Sequence, residues 1–340
     1  MDRTAWRTHH ADAYQGARVL VTGGLGFIGS HLTDALLALG AHVAVIDDGS
    51  GGGRGNLDAA QAHHPDRLRV LDASILDPDA LGLAVQGARV VFHQAALGSV
   101  PRSLEMPERY HAVNAEGTLR VLQAAKAAGA QRVVFAASSS AYGDTPALPK
   151  VETMPVLPRS PYAATKAYGE ALLRAWANGY PNGPDAVSLR YFNIFGPRQN
   201  ANSAYAAVIA AFAKALLAGE RPQIHGDGAQ SRDFTFVDNA VHANLLAGRA
   251  QDRLNGAVLN VACAQRITIE ELALAMAKRF DQADLTPTHG PDRAGDVKHS
   301  LADLGAIGEA LGYQPLVPFD DGLAVTCDWY AQALSASSTA

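Results

Sequence analysis

Three glycines spaced three residues apart follow the first apolar run of the chain, and they constrain its fold more than any other feature. The run Arg18–Val21 predicts a buried strand, and Phe27–Leu39 predicts a helix. Gly23, Gly26 and Gly29 lie where the two meet. In a parallel α/β sheet this arrangement lets the backbone approach a pyrophosphate at a helix N-terminus. The pattern therefore predicts a dinucleotide site at the start of the sheet.

Short apolar runs continue to alternate with amphipathic stretches as far as residue 191. This alternation predicts βαβ units, and hence an α/β fold with a doubly wound parallel (Rossmann) sheet. The later predicted strands are His42–Ile46, Leu68–Leu71, Arg89–Phe92, Arg132–Ala136 and Ala186–Leu189. The predicted helices between them lie near Pro78–Val85, Glu105–Val113 and Gly117–Ala128.

After Phe192 the pattern changes, because proline and glycine break the chain more often and helices dominate. These helices are predicted near Ala204–Leu217, Ile269–Lys278 and Phe319–Leu334. We interpret this part as a smaller, mixed α/β substrate-binding lobe. The expected organisation is a leader at 1–16, a dinucleotide-binding domain at 17–191 and a mainly substrate-binding lobe at 192–340. Segments near 229–245 are expected to return to the first domain.

The composition excludes several classes of function. Of 340 residues, 48% are hydrophobic and 18% are charged, so the chain can bury enough apolar surface to fold. A net charge of −5 offers no basic surface for nucleic acid or an anionic membrane. No apolar run approaches the ~20 residues of a membrane span. Two cysteines make no disulfide scaffold, and paired histidines such as His9 and His10 point apart, so we expect a cytoplasmic protein without a metal.

A carboxylate ends the second predicted strand. Asp47 is placed to accept hydrogen bonds from both hydroxyls of an adenosine ribose, and it would repel a 2′-phosphate. NAD is therefore favoured over NADP. Asp48 either contributes to the same site or caps the loop, and Asp72, after the third strand, either accepts from the adenine amino group or caps the next turn.

A tyrosine and a lysine stand four residues apart at the start of a predicted helix, with Ser160 and Pro161 as its N-cap and first turn. Tyr162 and Lys166 therefore share one face. An ammonium beside a phenol, with a cationic nicotinamide nearby, is expected to lower the phenol pKa from about 10 towards neutrality. Ser138 adds a hydroxyl at the carboxyl end of a strand, where ligands of such sheets bind. We predict that these three are catalytic, with Tyr162 as the base.

Together these motifs resemble the extended short-chain dehydrogenase/reductase superfamily, in its NAD-dependent sugar-nucleotide epimerase/dehydratase branch. The closest resemblance is to bacterial UDP-N-acetylglucosamine 4-epimerases, and it extends from about Arg18 to Leu323. Further motifs that carry it are Phe92-His93-Gln94-Ala95-Ala96, Val113-Asn114-Ala115-Glu116-Gly117-Thr118, Arg190-Tyr191-Phe192-Asn193, Ser231-Arg232-Asp233-Phe234 and Arg293-Ala294-Gly295-Asp296.

The resemblance implies a homodimeric enzyme with a tightly bound, recycled NAD and a UDP-sugar substrate. The implied cofactor-binding residues are Gly23, Gly26, Phe27, Ile28, Gly29, Asp47, Asp48, Ser50, Asp72, Ala73, Gln94, Ala95, Ala96, Asn114, Tyr162, Lys166 and Phe192. The implied substrate-binding residues are Ser99, Ser138, Ser139, Ser140, Tyr162, Asn193, Ala207, Val208, His225, Arg232, Arg293, Asp296 and Ser300. His225 lies either near the uracil or in a plain loop.

The resemblance also indicates the reaction. Related dehydratases and decarboxylases carry acidic residues just after the equivalent of Ser138, whereas this chain has Ser139 and Ser140. Simple epimerisation at C4, through a transient 4-keto sugar, is therefore favoured. Ser300 stands where a bulky tyrosine restricts related enzymes to unsubstituted hexoses, so a 2-acetamido group is admitted unless Ser300 only caps the helix after it.

We therefore expect conversion of UDP-N-acetylglucosamine to UDP-N-acetylgalactosamine, for the synthesis of a polysaccharide. A first alternative is the 6-carboxylate of this sugar, for which Arg102 and Lys150 are the nearest cations in sequence. UDP-glucose is a second. A non-catalytic protein that binds NAD or a sugar nucleotide is another class, although it would be free to lose the serine, tyrosine and lysine. A net NAD-dependent oxidoreductase would instead release reduced cofactor.

Overall fold

Seven parallel strands form the central sheet of the computed structural model, which describes residues 5–200, 208–291 and 298–337. In chain order they are β1 (Arg18–Thr22), β2 (His42–Asp47), β3 (Leu68–Asp72), β4 (Val90–His93), β5 (Arg132–Ser138), β6 (Asp185–Tyr191) and β11 (Ala257–Val261). Their spatial order is β11-β6-β5-β4-β1-β2-β3. The chain moves outwards from β1 to β3 and then returns to β4 beside β1. Ligands of such sheets bind at this switch point, beyond the carboxyl ends of the strands.

Helices cover both faces of the sheet, so the predicted doubly wound Rossmann sheet is confirmed. One face packs against α2 (Phe27–Ala38) and α10 (Val237–Arg249), together with α1 (Ala5–His10) and α12 (Gly305–Leu311). The other face packs against α4 (Pro78–Val85), α7 (Gly117–Ala127) and α8 (Pro161–Gly179). Helix α3 (Asp58–His63) connects β2 and β3.

The segment before α7 is not the single helix that the sequence predicts near Glu105–Val113. It contains α5 (Val100–Glu105), α6 (Pro107–Tyr110) and a π-helical turn, His111–Glu116. Pro107 lacks an N–H and ends the preceding helix, because its ring cannot continue the hydrogen-bond pattern. The wider π-helical turn then leads directly into α7. Such turns often occur at functional sites.

The chain beyond Phe192 forms a second hydrophobic core. Its helices are α9 (Val208–Leu217), α11 (Ile269–Arg279) and α13 (Phe319–Ser337). Short two-stranded pairings join β7 (Ile194–Phe195) to β10 (Thr235–Phe236), β9 (Ser231–Arg232) to β12 (Ile267–Thr268), and β8 (Gln223–His225) to β13 (Thr288–Gly290). The same part of the chain also supplies α10 and β11 to the first core.

Residues near the start of the chain pack closely against α10. The side chains of Trp6, His10 and Tyr14 are buried. His10 Nε2 lies 2.9 Å from Nδ1 of His242, and the Tyr14 hydroxyl donates to the carbonyl of Leu245 at 2.8 Å. These contacts therefore hold the start of the chain against α10. Among the helices described, none combines the length and the apolar character needed to cross a bilayer.

Candidate active site

The glycine-rich turn forms one wall of a cleft at the switch point of the sheet. Gly23 has a positive φ of 72°, and a Cβ there would lie 2.6 Å from the backbone nitrogen of Ala95. A Cβ on Gly29 would overlap the carbonyl oxygen of Gly23. Two of the three glycines therefore allow backbone segments to approach more closely than any side chain permits. The approach brings the N-terminus of α2 to the cleft.

Asp47 ends β2 at the far end of the cleft, and only 8% of its surface is exposed. Its Oδ2 accepts from the N–H of Leu25 at 2.9 Å, and its Oδ1 accepts from that of Gly49 at 2.8 Å. Burial raises the pKa of this carboxyl, and the two backbone N–H groups oppose the shift. Each oxygen has a second lone-pair position, so the carboxylate can still accept from a diol.

The two neighbouring carboxylates behave differently. Asp48 lines the cleft, and its Oδ1 also caps the loop by accepting from the N–H of Ser50 at 3.0 Å. Both interpretations of Asp48 are therefore compatible with its position. Asp72 is exposed and forms an ion pair with Arg54. Asp72 is not among the residues that line the cleft, although its neighbour Ala73 is, and its contact with the adenine stays a prediction.

The cleft has a volume of about 320 Å³ and collects most of the residues implied for the cofactor. Those that line it are Gly23, Gly26, Phe27, Ile28, Gly29, Asp47, Asp48, Ser50, Ala73, Gln94, Ala95, Ala96, Tyr162 and Lys166. Further lining residues were not predicted from the sequence: Ile46, Gly51, Ser74, Ile75, Gly98, Val113, Ala136, Ala137 and Tyr191. Most of them are neighbours of residues that were identified.

The resemblance implies that Asn114 and Phe192 lie near the nicotinamide end of the cofactor, and the structure shows both next to residues that line the cleft. The Asn114 amide is buried and bonds to the backbone N–H and carbonyl of Leu97 and to the hydroxyl of Thr165. It therefore holds the loop after β4 against α8. Phe192 is fully buried and packs against the ring of Tyr142. Its neighbour Tyr191 lines the cleft instead.

Tyr162 and Lys166 lie on α8 and both line the cleft, with the lysine Nζ 5.9 Å from the centre of the tyrosine ring. The ammonium donates to the carbonyl of Ala136 at 2.6 Å. Burial lowers the pKa of Lys166 to about 7, which Glu170 opposes. Burial raises the pKa of Tyr162, and a hydrogen bond with Ser138 opposes that shift. In the chain alone burial therefore outweighs the other effects on the Tyr162 pKa, and the lowering expected beside a cationic nicotinamide stays a prediction.

Three consecutive serines, Ser138 to Ser140, lie at the end of β5, where Ser138 is hydrogen-bonded to Tyr162. Ser138 ends β5, and its Oγ accepts from the N–H of Ser140 at 3.2 Å and from the hydroxyl of Ser140 at 2.9 Å. These bonds form a short 3₁₀ turn over Ser139–Tyr142. Ser99 lies at the N-terminus of α5, where its side chain accepts from the N–H of Arg102, and its own N–H donates to the hydroxyl of Tyr110. Ser99 is therefore a helix cap in the loop after β4.

A second group of predicted residues meets at the ends of β9 and β7. Ser300 is 8% exposed, and its hydroxyl lies 3.4 Å from Asn193 Oδ1 and 3.3 Å from the N–H of Asp233. Arg232 donates to the backbone carbonyls of Ser231 and Lys298. The structure thus brings Asn193, Arg232 and Ser300 together. Ser300 does not cap the next helix, because α12 begins only at Gly305.

Asp233 holds this group in place, and the sequence analysis did not single it out. Its buried carboxylate accepts from the N–H groups of Cys263 and Ala302, so it joins two distant loops. Burial raises its pKa to about 6 despite these bonds. His225 is exposed on β8, and Val208 begins α9. The predicted Ala207, Arg293 and Asp296 lie outside the described residues.

Comparison with known proteins agrees with this geometry. Residues 19–262 match the NAD dependent epimerase/dehydratase family. The chain belongs to this family. A UDP-glucose 4-epimerase of Mycolicibacterium smegmatis is 40% identical over 315 residues, which are 92% of this chain and 98% of that protein. The epimerase/dehydratase family therefore accounts for the sheet, the glycine-rich turn and the tyrosine–lysine pair together.

Two solved structures of the epimerase/dehydratase family show the same fold. A UDP-N-acetylglucosamine 4-epimerase from Methanobrevibacter ruminantium, in complex with UDP-N-acetylmuramic acid, has a TM-score of 0.87 and 39% identity, covering 94% of this chain and 99% of its own. A Thermus thermophilus UDP-glucose 4-epimerase, in complex with NAD, has a TM-score of 0.81 and 33% identity, covering 93% and 99%.

NAD is the cofactor of the epimerase/dehydratase family, and the residues of this cleft fit it. The close approach at Gly23 and Gly29 leaves room for a pyrophosphate beside the N-terminus of α2. Asp47 retains acceptor positions for a ribose diol at one end. Tyr162 and Lys166 stand at the other end, where the redox-active ring would meet a substrate.

Proposed function

We propose that this NAD-dependent UDP-sugar 4-epimerase interconverts UDP-N-acetylglucosamine and UDP-N-acetylgalactosamine. The observation that carries the proposal is the position of Ser300, whose small side chain meets Asn193 and the backbone of Asp233. A small residue there leaves space for a 2-acetamido group. The Methanobrevibacter ruminantium relative acts on the same sugar nucleotide, whereas the Mycolicibacterium smegmatis relative carries the name of the unsubstituted one.

The catalytic roles proposed here follow from the hydroxyls around α8. The phenolate of Tyr162 takes the proton of the C4 hydroxyl, becomes the phenol, and later returns the proton to the oxygen at C4. Ser138, already hydrogen-bonded to that phenol, bridges it to the substrate oxygen. The ammonium of Lys166, fixed by the carbonyl of Ala136, favours the phenolate as it forms. When bound, NAD supplies a reversible acceptor for one hydride, so its redox state is unchanged after a full turnover.

Epimerisation is favoured over dehydration by the composition of the turn after β5. Expulsion of water from C6 requires an acid near the sugar, and Ser138–Tyr142 contains no carboxylate. The diphosphate of the substrate would be held by Asn193, Arg232 and Arg293, because guanidinium groups bind phosphate oxygens bidentately.

A uronate substrate is less well supported because its expected counter-ion is already engaged. Lys150 is only 2% exposed, and its ammonium donates to the carbonyl and hydroxyl of Thr145. These bonds hold the loop that contains Thr145 and engage the lysine, so its charge is not available to a carboxylate at C6. Arg102 is exposed on α5 and is the remaining candidate.

Proton NMR of the products tests the proposal directly. The purified protein is incubated without added NAD, in separate samples, with UDP-N-acetylglucosamine, its 6-carboxylate and UDP-glucose. We expect the first to reach an equilibrium mixture, with the galacto product marked by its small H3–H4 coupling. Conversion of the uronate alone would keep the mechanism and overturn the substrate. Inertness of all three would support the non-catalytic binding protein, and stoichiometric consumption of added NAD would indicate a net oxidoreductase.

Substitution of Ser300 separates the two neutral sugars. We predict that Ser300→Tyr reduces kcat/KM for UDP-N-acetylglucosamine by roughly 10²-fold or more, since one misfitted group in a pocket commonly costs that much. Conversion of UDP-galactose should persist, because its 2-hydroxyl needs less room. Ser300→Ala is the matched control and should keep both activities. An equal loss of both activities in Ser300→Tyr would show that residue 300 does not select the substituent at C2.

We also propose a homodimer and a cytoplasmic enzyme. The family tends to dimerise through two helices per subunit, and the Ala-rich faces of Glu105–Ala128 and Ala163–Ala177 are the candidates in this chain. Exposed apolar side chains beside or on them are Leu104 on α5, 64% exposed, and Tyr168 on α8, 45% exposed. Cys263 and Cys327 are free, as is usual for proteins of a reducing compartment. Light scattering after size-exclusion chromatography should give twice the mass of 35.6 kDa. Leu104→Glu together with Tyr168→Glu should shift the protein to that single mass.

A further inference from the structure

Three side chains at the floor of the cleft form a closed ring of hydrogen bonds. Gln94 Nε2 donates to Asn244 Oδ1 at 3.0 Å, and Asn244 Nδ2 donates to the Tyr191 hydroxyl at 2.6 Å. The Tyr191 hydroxyl completes the ring by donating to Gln94 Oε1 at 3.2 Å. The ring joins the end of β4, the end of β6 and the middle of α10. We refer to these three residues as the amide ring.

The direction of the amide ring is fixed by the backbone. Asn244 Nδ2 also donates to the carbonyl of Ala240 at 2.7 Å, so its two N–H groups are both used and its oxygen must face Gln94. Gln94 must therefore present its nitrogen to Asn244 and its oxygen to Tyr191. Within the described residues, the second N–H of Gln94 Nε2 is the one donor of the ring that no bond uses.

The position of the ring relates it to the cofactor cleft. Gln94 and Tyr191 both line the cleft, and Asn244 is fully buried behind them. Tyr191 is the register partner of Ser138, and Gln94 precedes Ala95, which meets Gly23. The ring therefore lies between the pyrophosphate wall and the catalytic serine, away from Asp47 at the adenosine end. Burial raises the pKa of Tyr191 to about 12, so its hydroxyl keeps the proton that it donates.

We propose that Gln94, Tyr191 and Asn244 are positioning residues for the nicotinamide half of NAD. The closed ring holds the Gln94 amide in one orientation and keeps its remaining N–H as a donor towards the cofactor. Because Asn244 lies on α10, the ring also makes the affinity for NAD depend on the position of that helix. The proposal rests on NAD binding and is independent of which sugar is the substrate.

Calorimetric titration of nucleotide-free protein with NAD and, separately, with ADP tests the proposal. ADP probes only the adenosine and pyrophosphate part of the cleft. Tyr191→Phe keeps the aromatic ring but removes the hydroxyl, which leaves the Gln94 oxygen without its donor. We expect the Kd for NAD to rise roughly tenfold, within the range for an unsatisfied buried polar group, while the Kd for ADP stays unchanged.

Tyr14→Phe is the matched control. It also removes one buried hydroxyl that bonds to α10, but the bond goes to the carbonyl of Leu245 on the side away from the cleft. It should lower the melting temperature without changing either Kd. Equal effects of Tyr191→Phe and Tyr14→Phe on NAD, or equal weakening of NAD and ADP in Tyr191→Phe, would reduce the ring to a stabilising feature and overturn the proposal. An unchanged Kd for NAD in Tyr191→Phe would also overturn it.

A double variant supplies an independent test. Gln94→Leu breaks the ring and also removes the outward donor, so it should weaken NAD at least as much as Tyr191→Phe does. Either change alone breaks the ring, so adding Tyr191→Phe to Gln94→Leu disrupts nothing further that positions the cofactor. The variant with both changes should therefore bind NAD no more weakly than Gln94→Leu alone. Full additivity of the two changes would contradict a ring that acts as one unit.

Discussion

The proton at the active site is controlled by two side chains whose environments act in opposite directions. Burial raises the pKa of Tyr162 and lowers that of Lys166 to about 7. In the chain alone, the phenol therefore keeps its proton at neutral pH, while the lysine is close to its own titration. A cationic nicotinamide would favour the phenolate when NAD is bound, and Ser138 supplies a hydrogen bond that already assists it.

The phenol itself can be tested by removing one oxygen. We predict that Tyr162→Phe loses roughly 10²- to 10⁴-fold in kcat, the usual contribution of a positioned base. The NAD released on denaturation should equal that of the wild type, because the aromatic ring still lines the cleft. Tyr168→Phe, an exposed change on the same helix, should alter neither quantity. Wild-type turnover in Tyr162→Phe would remove this residue from the mechanism.

Single residues also show where sequence reasoning fails. On a strand, successive side chains point to opposite faces, so a motif alone does not tell which of its residues faces the cleft. The motif around residue 191 was assigned to Phe192, but the structure buries Phe192 beside Tyr142 and leaves Tyr191 in the cleft. The bonds of the Asn114 amide to Leu97 and Thr165 likewise could not be predicted from its motif. Motifs located the region correctly but did not give side-chain direction.

At the scale of elements, the start of α2 depends on the close approach of the backbone at Gly29 to the backbone at Gly23. We predict that Gly29→Ala greatly weakens NAD binding, because the added methyl group would displace the turn at Gly23 that faces the pyrophosphate. Gly82→Ala is the matched control: Gly82 lies in α4 and a Cβ there meets nothing within 4 Å.

Both glycine variants can be compared by titration with NAD and by chemical unfolding. Gly82→Ala should keep the wild-type Kd and gain about 0.5–1 kcal/mol of stability, since alanine loses less conformational entropy in a helix than glycine. If Gly29→Ala bound NAD as tightly as the wild type, the close contact at Gly23 would not be needed for the site.

Elements were predictable where hydrophobic periodicity was uninterrupted. Helix α4 has the predicted bounds, and β1 to β6 differ from the predictions only near their ends. Strand β11 was missed because a polar residue interrupts its apolar run. Asn260 is fully buried there, and its amide bonds to the carbonyls of Lys150 and Asp303. Such a residue looks like a loop residue in the sequence, since only the fold supplies its partners.

At the scale of the whole molecule, two buried histidines couple the start of the chain to pH. Burial lowers the pKa of His10 to about 3 and that of His242 to about 4, and the charges that face them are His9 and Arg249. An unfolded histidine has a pKa of about 6.5. Between pH 6.5 and about 4, the undocked or unfolded state therefore binds protons that the folded state does not, so stability falls as the pH falls.

We predict that docking of α1 onto α10 weakens below pH 6.5, by up to about 1.4 kcal/mol for each histidine and each pH unit. The protection factors of residues 5–16 against hydrogen exchange should fall between pH 7.5 and pH 5, before those of the central sheet change. His242→Gln should flatten this dependence, whereas His63→Gln, which changes an exposed histidine, should leave it unaltered. Exchange rates at residues 5–16 that change no more than intrinsic chemistry requires would contradict the prediction.

The order of strands in the central sheet also has a consequence for how the chain is made. Every residue of β6 is buried, and one of the two edges of β6 is hydrogen-bonded to β11. A ribosome delivers β6 well before β11, with α9 and part of the second core in between. Until β11 is made, one edge of β6 lacks its hydrogen-bonding partner, and such an edge can pair with strands of other chains. Strand β11 therefore protects this edge only late in synthesis. Nascent chains that end before Ala257 are the form of this protein most prone to aggregation.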